Sequence, residues 1–511
     1  MKKNELESIP METLDLLIAP LRDGLYTIMM PVSNFIWSYI LVYLLLGAGL
    51  LFTIMTRGMQ FRLFRHMAYV TFTARGAGSG ISGFQAFATS MAARVGTGNL
   101  AGVALALWVG GPGAIFWMWV TALLGFATAF IESTLAQVYK HRNEDGVFRG
   151  GPAYYIERCL GWRWLGALFA VFLIIAYGLA FNAAQSNTIA QGMNGAFGIP
   201  NWLTGVVIAI LAGLVIYGGL KSVARTAEKI VPAMAIAYLL VALWILVTNL
   251  SAVPDMLSLI VMSAFGLGPA VGGAAGYAIK AAMENGVKRG LFSNEAGMGS
   301  TPNAAAQATV KHPAAQGLVQ SFGVFVDTIV ICSCTAVVIL LSGVYERLMS
   351  ESPGDSIEGI QLTQDAMVDH LGGFGEIFIA LAILFFAFTS ILANFSFSSV
   401  NIEFLFRRHA KKAVSVFKVI IIAMVLLGSV AELSVVWDFA DLAMGLMATT
   451  NLFAILIMGP IAVAVLKDYE RQRRAGIHEP IFDPAILKRP ELVDADVWPV
   501  KEAKKTEATE G

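Results

Sequence analysis

The amino-acid sequence predicts an all-helical integral membrane protein with eleven membrane spans. Three observations support this fold class: charged residues are scarce, apolar residues form long continuous runs, and Lys and Arg gather in the short links between those runs. Only 14% of the 511 residues are charged, against roughly 25% in soluble domains, and the mean hydropathy is +0.69. Because the apolar runs are continuous instead of alternating, they indicate helices and not a barrel of strands.

The composition also excludes several classes of function. A net charge of zero, without a basic run that has interleaved aromatic residues, excludes a nucleic-acid-binding protein. The sequence has neither an H-E-x-x-H nor a G-x-x-x-x-G-K-[ST] pattern, and its six histidines all fall in predicted links. These absences exclude a membrane metalloenzyme and an ATP-driven pump. We therefore expect that the protein is not an enzyme and that it uses no organic cofactor.

Each apolar run of about 20 residues is a candidate span, since that length crosses the hydrocarbon core as a helix. The candidates are residues 34–55, 81–108, 112–139, 164–192, 202–219, 229–249, 272–308, 317–343, 373–405, 413–430 and 436–466.

The charges of the links predict the orientation of these spans. Basic residues follow the first, third, fifth, seventh and ninth spans, whereas the link at 344–370 is acidic. By the positive-inside rule the basic links are cytoplasmic. The N-terminus is then expected on the outer side and the polar tail at 467–511 in the cytoplasm. The expected membrane is the inner (plasma) membrane of the cell.

An internal repeat relates the two halves of the chain. Residues 81–139 align without a gap with 276–334 at an offset of 195, which pairs Asn99 with Asn294 and Glu132 with Asp327. By the span count the two segments cross in opposite directions, as in the inverted-topology repeats of secondary transporters. The predicted units are 1–80 with an accessory span, repeats at 81–249 and 272–466, an extracellular link at 250–271 and the tail. The alternative is a chance likeness between two Gly/Ala-rich helices.

A helix break is predicted at Gly96-Thr97-Gly98-Asn99. Two glycines in three positions destabilise a helix locally. The half-helix that begins near Gly98 would present free N–H groups, which suit a substrate carboxylate, and the half that ends near Val95 would present free carbonyls, which suit a cation. A small-residue packing face between helices is the alternative, but it does not explain Thr97 and Asn99.

A matching break is predicted at Gly290-Leu-Phe292-Ser293-Asn294, where Phe292 would form an apolar wall for a short side chain. We expect Asn99 and Asn294 to be pseudo-symmetric partners that hold the two breaks. Lys288 and Arg289 lie beside this break and are costly at membrane depth. The alternative is therefore that 288–300 is a cytoplasmic loop.

Three further polar groups lie inside predicted spans. Thr389-Ser390 could supply hydroxyl ligands to a cation, or could simply bond back to carbonyls of their own helix. Glu132 and Asp327 are intramembrane carboxylates, which we interpret as structural or gating residues that pair with Arg94, Arg289 or Lys280. Asn182, Gln185 and Ser186 share one helix face, which lines a polar cavity or bonds to another helix.

The motifs Ala92-Ala-Arg-Val-Gly-Thr-Gly-Asn-Leu-Ala-Gly-Val-Ala104, Gly111-Pro-Gly-Ala-Ile-Phe-Trp-Met-Trp119 and Gly290-Leu-Phe-Ser-Asn-Glu-Ala-Gly-Met-Gly-Ser-Thr-Pro302 resemble those of the alanine or glycine:cation symporter family. The resemblance covers about 35–465. It implies a LeuT-like fold of ten core helices, a 5+5 inverted repeat with discontinuous first and sixth core helices, plus one extra N-terminal helix. It also implies sodium-driven uptake of alanine or glycine.

The same resemblance implies two sets of site residues. Carried over by position, one sodium ion would bind the carbonyls of Ala92, Val95 and Phe386 and the hydroxyls of Thr389 and Ser390. The expected substrate-binding residues are Thr97, Gly98, Asn99, Leu100, Gln185, Phe292, Ser293 and Asn294. The sequence departs from the wider superfamily at Arg94, where those proteins have a small residue, so a second sodium site is not implied there.

The expected partners are therefore a small neutral amino acid, a sodium ion and membrane lipid, and a monomer can suffice. Proton coupling with the same substrates is an alternative. A passive channel is a further one, although broken helices within an inverted repeat argue against it.

Overall fold

The computed structural model of the chain describes residues 27, 29–73, 80–267, 275–351 and 359–499. Within these ranges the regular secondary structure is helical, apart from one two-stranded hairpin of β1 His141–Arg142 and β2 Phe148–Arg149. The helices are α1 Met29–Met55, α2 Met59–Arg62, α3 Phe64–Thr73, α4 Gly83–Arg94, α5 Gly98–Gly110, α6 Gly113–Val138, α7 Pro152–Tyr155, α8 Arg163–Phe197, α9 Asn201–Tyr217, α10 Leu220–Thr248, α11 Val253–Ala264, α12 Ala275–Asn294, α13 Thr301–Ala305, α14 Pro313–Leu341, α15 Val344–Glu351, α16 Gly359–Leu371, α17 Gly373–Phe406, α18 Ala410–Val430 and α19 Leu433–Arg474.

Seven helical stretches in the described part of the chain are long and apolar enough to cross a membrane, and the bent pair α4–α5 makes an eighth. This number is below eleven for identifiable reasons. Helices α17 and α18 count as one stretch, Gly373–Val430, and α9 has only 17 residues. Helix α12 carries four charged residues before its last turn. A helix or a helix pair coincides with each of the eleven runs over the described residues, but the count of eleven spans stays a prediction.

The surface and the interior have the distribution expected of a protein in lipid. Large apolar side chains such as Leu214 and Trp244 are exposed on α9 and α10. Polar side chains such as Asn99, Glu132 and Asp327 are fully buried. Since lipid cannot satisfy polar groups, they must find their partners between helices. The polar chemistry of the molecule therefore lies at its centre.

The first break lies where the glycines predict it. Helix α4 ends at Arg94 and the next begins at Gly98, with a bend of 50° between them. Val95 ends α4 with φ −79° and ψ 88°, outside the helical region. A capping box of Ser82 and Gln85 fixes the other end of α4.

The second break does not lie at 290–294, and that prediction was wrong. Helix α12 runs without interruption to Asn294, and the irregular stretch follows at 295–300. Gly290 lies within α12 where that helix packs against α6, and a Cβ there would be in ordinary contact with Thr121 Cβ, at 3.4 Å. The chain turns instead where φ is positive, at Glu295 (58°), Gly297 (91°) and Gly299 (87°). The alternative of a loop over 288–300 is wrong for the part up to Asn294.

Some of the predicted boundaries fall on undescribed residues. These are residues 1–26, the last four residues of the extracellular link with the first three of the second repeat, and the end of the tail beyond 499. The domain boundaries therefore remain predictions.

Candidate substrate and cation site

Asn99 lies at the centre of the first break and joins it to the second half of the chain. Its Oδ1 accepts from the backbone N–H of Gly96 at 2.9 Å. Its Nδ2 donates to Asp327 Oδ1 at 2.7 Å and to Ser293 Oγ at 3.1 Å. One amide thus satisfies a freed N–H of the break and links α5 to α12 and α14. Asn can do both because its side chain carries an acceptor and a donor.

Asp327 belongs to this cluster, contrary to the expected pairing with Arg94, Arg289 or Lys280. Its Oδ2 accepts from Ser293 Oγ at 2.5 Å and from Thr328 Oγ1 at 2.8 Å. In the described structure no salt bridge reaches this carboxylate: Arg289 pairs with Asp441 at 2.8 Å, and Arg94 Nη1 donates to Gln320 O at 3.0 Å. A carboxyl group inside a predicted span identified Asp327 as a residue of interest, but the sequence did not predict its hydrogen-bond partners.

Gln185 is the one member of the amide-rich face that reaches the break. Its Oε1 accepts from Thr97 N at 3.0 Å and from Thr97 Oγ1 at 2.6 Å. Asn182 instead accepts from Asn394 Nδ2 at 3.0 Å, and Ser186 donates to Ala183 O of its own helix. The interpretation as bonding to another helix holds for both Asn182 and Gln185, and the partner of Gln185 lies in the first break.

Close packing requires glycine at both ends of the break. A Cβ on Gly96 would lie 2.3 Å from Ser390 Oγ, and one on Gly98 would lie 2.8 Å from Phe292 Cδ1. The sequence identified these glycines by their helix-breaking character. The structure adds that they let α4, α12 and α17 approach the same point.

The oxygen atoms proposed for a cation converge between α4 and α17. Ser390 Oγ donates to Ala92 O at 2.8 Å and to Phe386 O at 3.1 Å. Thr389 Oγ1 donates to Phe386 O at 3.0 Å. Ser390 therefore joins Ala92 of α4 to Phe386 of α17, whereas Thr389 bonds back to its own helix, as the alternative expects; Val95 lies buried at the adjoining end of α4. A set of neutral hydroxyl and carbonyl oxygens suits a hard cation such as sodium, so the residues present fit the implied ion.

Phe292, which the sequence marks as an apolar wall, packs against two further aromatic rings. The Phe292 ring centroid lies 4.8 Å from that of Phe181 and 4.9 Å from that of Trp437. Leu100 is fully buried at the start of α5. Sequence reasoning missed Phe181 and Trp437, since neither belongs to a motif and only the packing brings them to Phe292.

Glu132 holds the second break. Its Oε1 accepts from Gly297 N at 3.1 Å, and its Oε2 accepts from Asn451 Nδ2 at 2.9 Å. Asn451, which the sequence did not mark, also donates to Gly297 O at 2.9 Å. Asn294 has a smaller part than expected: its Oδ1 accepts from Ala296 N at 3.0 Å, within the turn that follows α12.

The fold and these contacts define the class of the protein: a multi-pass helical membrane protein with a helix break at its centre. Among solved structures the chain is similar to the crystal structure of MhsT in complex with L-phenylalanine, with a TM-score of 0.52 and 14% sequence identity. The match covers 75% of this chain and 97% of that one. This likeness shows a LeuT-like fold.

The chain belongs to the sodium:alanine symporter family, whose family model matches residues 22–484. It is 45% identical over 476 residues to the probable sodium/glutamine symporter GlnT of Bacillus subtilis (strain 168), a match that covers 92% of this chain and 96% of the relative. It is also 45% identical over 470 residues to the putative sodium/proton-dependent alanine carrier protein YrbD of the same strain, covering 91% and 95%. The family consists of transporters and not of enzymes, and cation-coupled transport of an amino acid follows from membership.

Proposed function

We propose that the protein couples inward sodium flow to the uptake of a small neutral amino acid, alanine or glycine, by alternating access. The observation that carries the proposal is the meeting of Ser390 Oγ with Ala92 O, at 2.8 Å, where α4 ends in the first break. A sodium ion at this point would bind oxygens of two helices at once. It would stabilise the arrangement that receives the substrate, and this is how a bound ion shifts a conformational equilibrium.

The proposed substrate site lies on the other side of the break. The amino acid would place its carboxylate at the N-terminal end of α5, near Gly98, Asn99 and Leu100, and its side chain against Phe292. Two N–H groups there already have acceptors: Thr97 N bonds Gln185 Oε1 at 3.0 Å, and Asn99 N bonds Gly96 O at 3.2 Å. The carboxylate therefore has to replace those contacts, and the close packing at Phe292 favours a short side chain.

The inverted repeat is part of the same proposal. Ser321 Oγ donates to Phe126 O at 2.8 Å, and these two residues are themselves related by the offset of 195. In a chain of two repeats related by an axis, residues at equivalent positions can contact each other only where they lie close to that axis. Glu132 of the first half also bonds the break of the second, and Asp327 of the second half bonds Asn99 of the first.

Proton coupling remains a second candidate because of one specific observation. Asp327 is a fully buried carboxylate within 2.7 Å of Asn99 Nδ2. A carboxyl group can bind and release a proton during a transport cycle, whereas a Ser or Thr hydroxyl cannot. The name of the relative YrbD includes both ions. If protons drive transport, Asp327→Asn should abolish proton-driven uptake and leave uptake by the sodium gradient.

Alanine binding to the purified protein tests the sodium proposal directly. Sodium should raise the affinity for alanine, and alanine should raise the affinity for sodium by the same factor, since coupling free energy is reciprocal. Lithium and potassium serve as matched controls. Alanine affinity that is equal with and without sodium would contradict the coupling.

A further inference from the structure

The C-terminal tail is not a free polar segment in the described part of the chain. Helix α19 continues to Arg474, and residues 477–498 then fold back over the molecule through the 3₁₀ turns Pro484–Ile486 and Pro490–Leu492. Four of its apolar side chains are buried, Phe482, Leu487, Val493 and Trp498, with Phe482 only 4% exposed and Trp498 only 6% exposed, whereas Ile477 and Ile481 stay exposed. Burial of this kind indicates a docked element, so we call residues 477–498 the strap.

Trp498 fixes the strap to the end of α6. Its Nε1 donates to Gln137 O at 3.0 Å. The Nζ atom of Lys140 lies 5.1 Å from the centroid of the Trp498 ring and donates to Ala308 O at 2.7 Å. Gln137 Nε2 donates to the same Ala308 carbonyl at 3.1 Å. The strap, the end of α6 and residue 308 thus form one network.

Phe482 fixes the strap to the link between α13 and α14. Its backbone N–H donates to Lys311 O at 3.0 Å, and its ring centroid lies 5.6 Å from that of His312. The rings of Phe482 and Trp498 meet at 5.2 Å, nearly perpendicular. Both anchors of the strap therefore belong to one aromatic cluster above residues 308–312.

The segment beneath the strap joins the two broken helices. Thr309 N donates to Ile81 O at 3.0 Å, and Gly80 N donates to Thr309 Oγ1 at 3.2 Å. Ile81 immediately precedes the cap of α4, while residue 308 follows the end of α13. The ends of α4 and α13 on the tail side are thus held to each other, with the strap packed on the segment that links them.

We propose that the strap is a latch that keeps the tail side of the molecule closed, and that it has to release before the substrate site opens on that side. The proposal rests on alternating access as proposed above. Separation of α4 from 308–309 would disturb Ala308 O, and with it the contacts of Lys140 and Gln137 that hold Trp498. Undocking the strap therefore lowers the cost of opening.

The rate at which a maleimide labels Ala308→Cys measures this opening, in nanodiscs and with Cys159 and Cys334 replaced by serine. Cys332 is kept because its Sγ lies 3.3 Å from Asn99 Nδ2, and the protein without Ala308→Cys gives its background labelling. Truncation after Ala475 removes the strap, and truncation after Pro499 is the matched control that retains it. We expect labelling about tenfold faster without the strap, the factor that corresponds to the loss of a few contacts. The control truncation should label at the rate of the full chain.

Trp498→Ala provides a second variant in case the truncated protein fails to purify as a monodisperse species, and we expect faster labelling for it as well. Equal rates for the full chain and a well-folded strap variant would overturn the latch. Alanine binding is measured on the same samples. Its absence from the full chain would contradict the proposed function, while the comparison of labelling rates would still decide whether the strap limits opening.

Discussion

The hydroxyl groups of Thr389 and Ser390 carry the proposed cation site at the scale of single residues. We expect Ser390→Ala to raise the sodium concentration for half-maximal alanine uptake about tenfold, since a lost oxygen contact of about 1.4 kcal/mol changes an equilibrium by that factor. Thr389→Ala should act in the same direction. Ser399→Ala is the matched control, because it removes a buried hydroxyl of the same helix, bonded to Phe395 O at 2.6 Å, that lies more than two turns away from Ser390. Unchanged sodium activation in both single variants and the double variant would remove the site.

Asn99 is the residue whose loss should be felt most strongly. Asn99→Ala leaves Gly96 N and the Asp327 carboxylate without that amide, and an unpaired buried group costs about 1–3 kcal/mol. Transport should fall strongly while insertion in the membrane persists. Asn294→Ala should have the smaller effect, because the Asn294 side chain bonds only a backbone N–H of the turn that follows its own helix. Uptake assays normalised to the amount of inserted protein check this order, and the reverse order would contradict the assignment.

At the scale of elements, the two breaks show how far the sequence predicts this fold. The first break follows from Gly96 and Gly98, since two glycines close together weaken a helix wherever they lie. The second break was predicted one turn too early. Gly290 remains inside α12 where that helix packs on α6, and the turn begins instead at Glu295, a type of residue that adopts positive φ only rarely. Propensity does not reveal such a tertiary requirement.

The partners of the breaks were the least predictable part of the site. Asp327 and Glu132 stood out as carboxylates within apolar spans, but Asn451 and Trp437 belong to no motif. They reach the site because α19 passes it, and the sequence pattern does not specify which face of a long helix meets a distant break. Likewise, nothing in the polar composition of the tail predicts that Trp498 docks on α6.

The close approach of the two broken helices is itself testable. Gly98→Ala should abolish uptake, because its Cβ would lie 2.8 Å from Phe292 Cδ1 and overpacking typically costs about 1–3 kcal/mol. Adding Phe292→Leu should restore part of the activity by giving the methyl group room. Gly47→Ala in α1 is the control, since its Cβ would meet nothing within 4 Å. Full uptake by Gly98→Ala would contradict this prediction, because it would show that α5 and α12 can accommodate the added methyl group at Phe292 without loss of function.

At the scale of the whole molecule, the site predicts which substrates compete. Alanine and glycine should inhibit each other's uptake, whereas leucine and phenylalanine should not, because the aromatic rings beside Gly98 leave little room. Alanine amide should fail to compete, since it lacks the carboxylate that the N-terminal end of α5 receives. Strong inhibition by alanine amide would count against that site. Glutamine belongs in the same assay because the relative GlnT is named for it.

The central claim is that a sodium gradient drives an amino acid uphill through this molecule. Proteoliposomes with labelled alanine on both sides and an inward sodium gradient, held at zero membrane potential, test it most directly. The account predicts accumulation of alanine above the outside concentration, which ends when sodium equilibrates and fails in Ser390→Ala at low sodium. Accumulation under a proton gradient without sodium, or mere equilibration under any gradient, would contradict it.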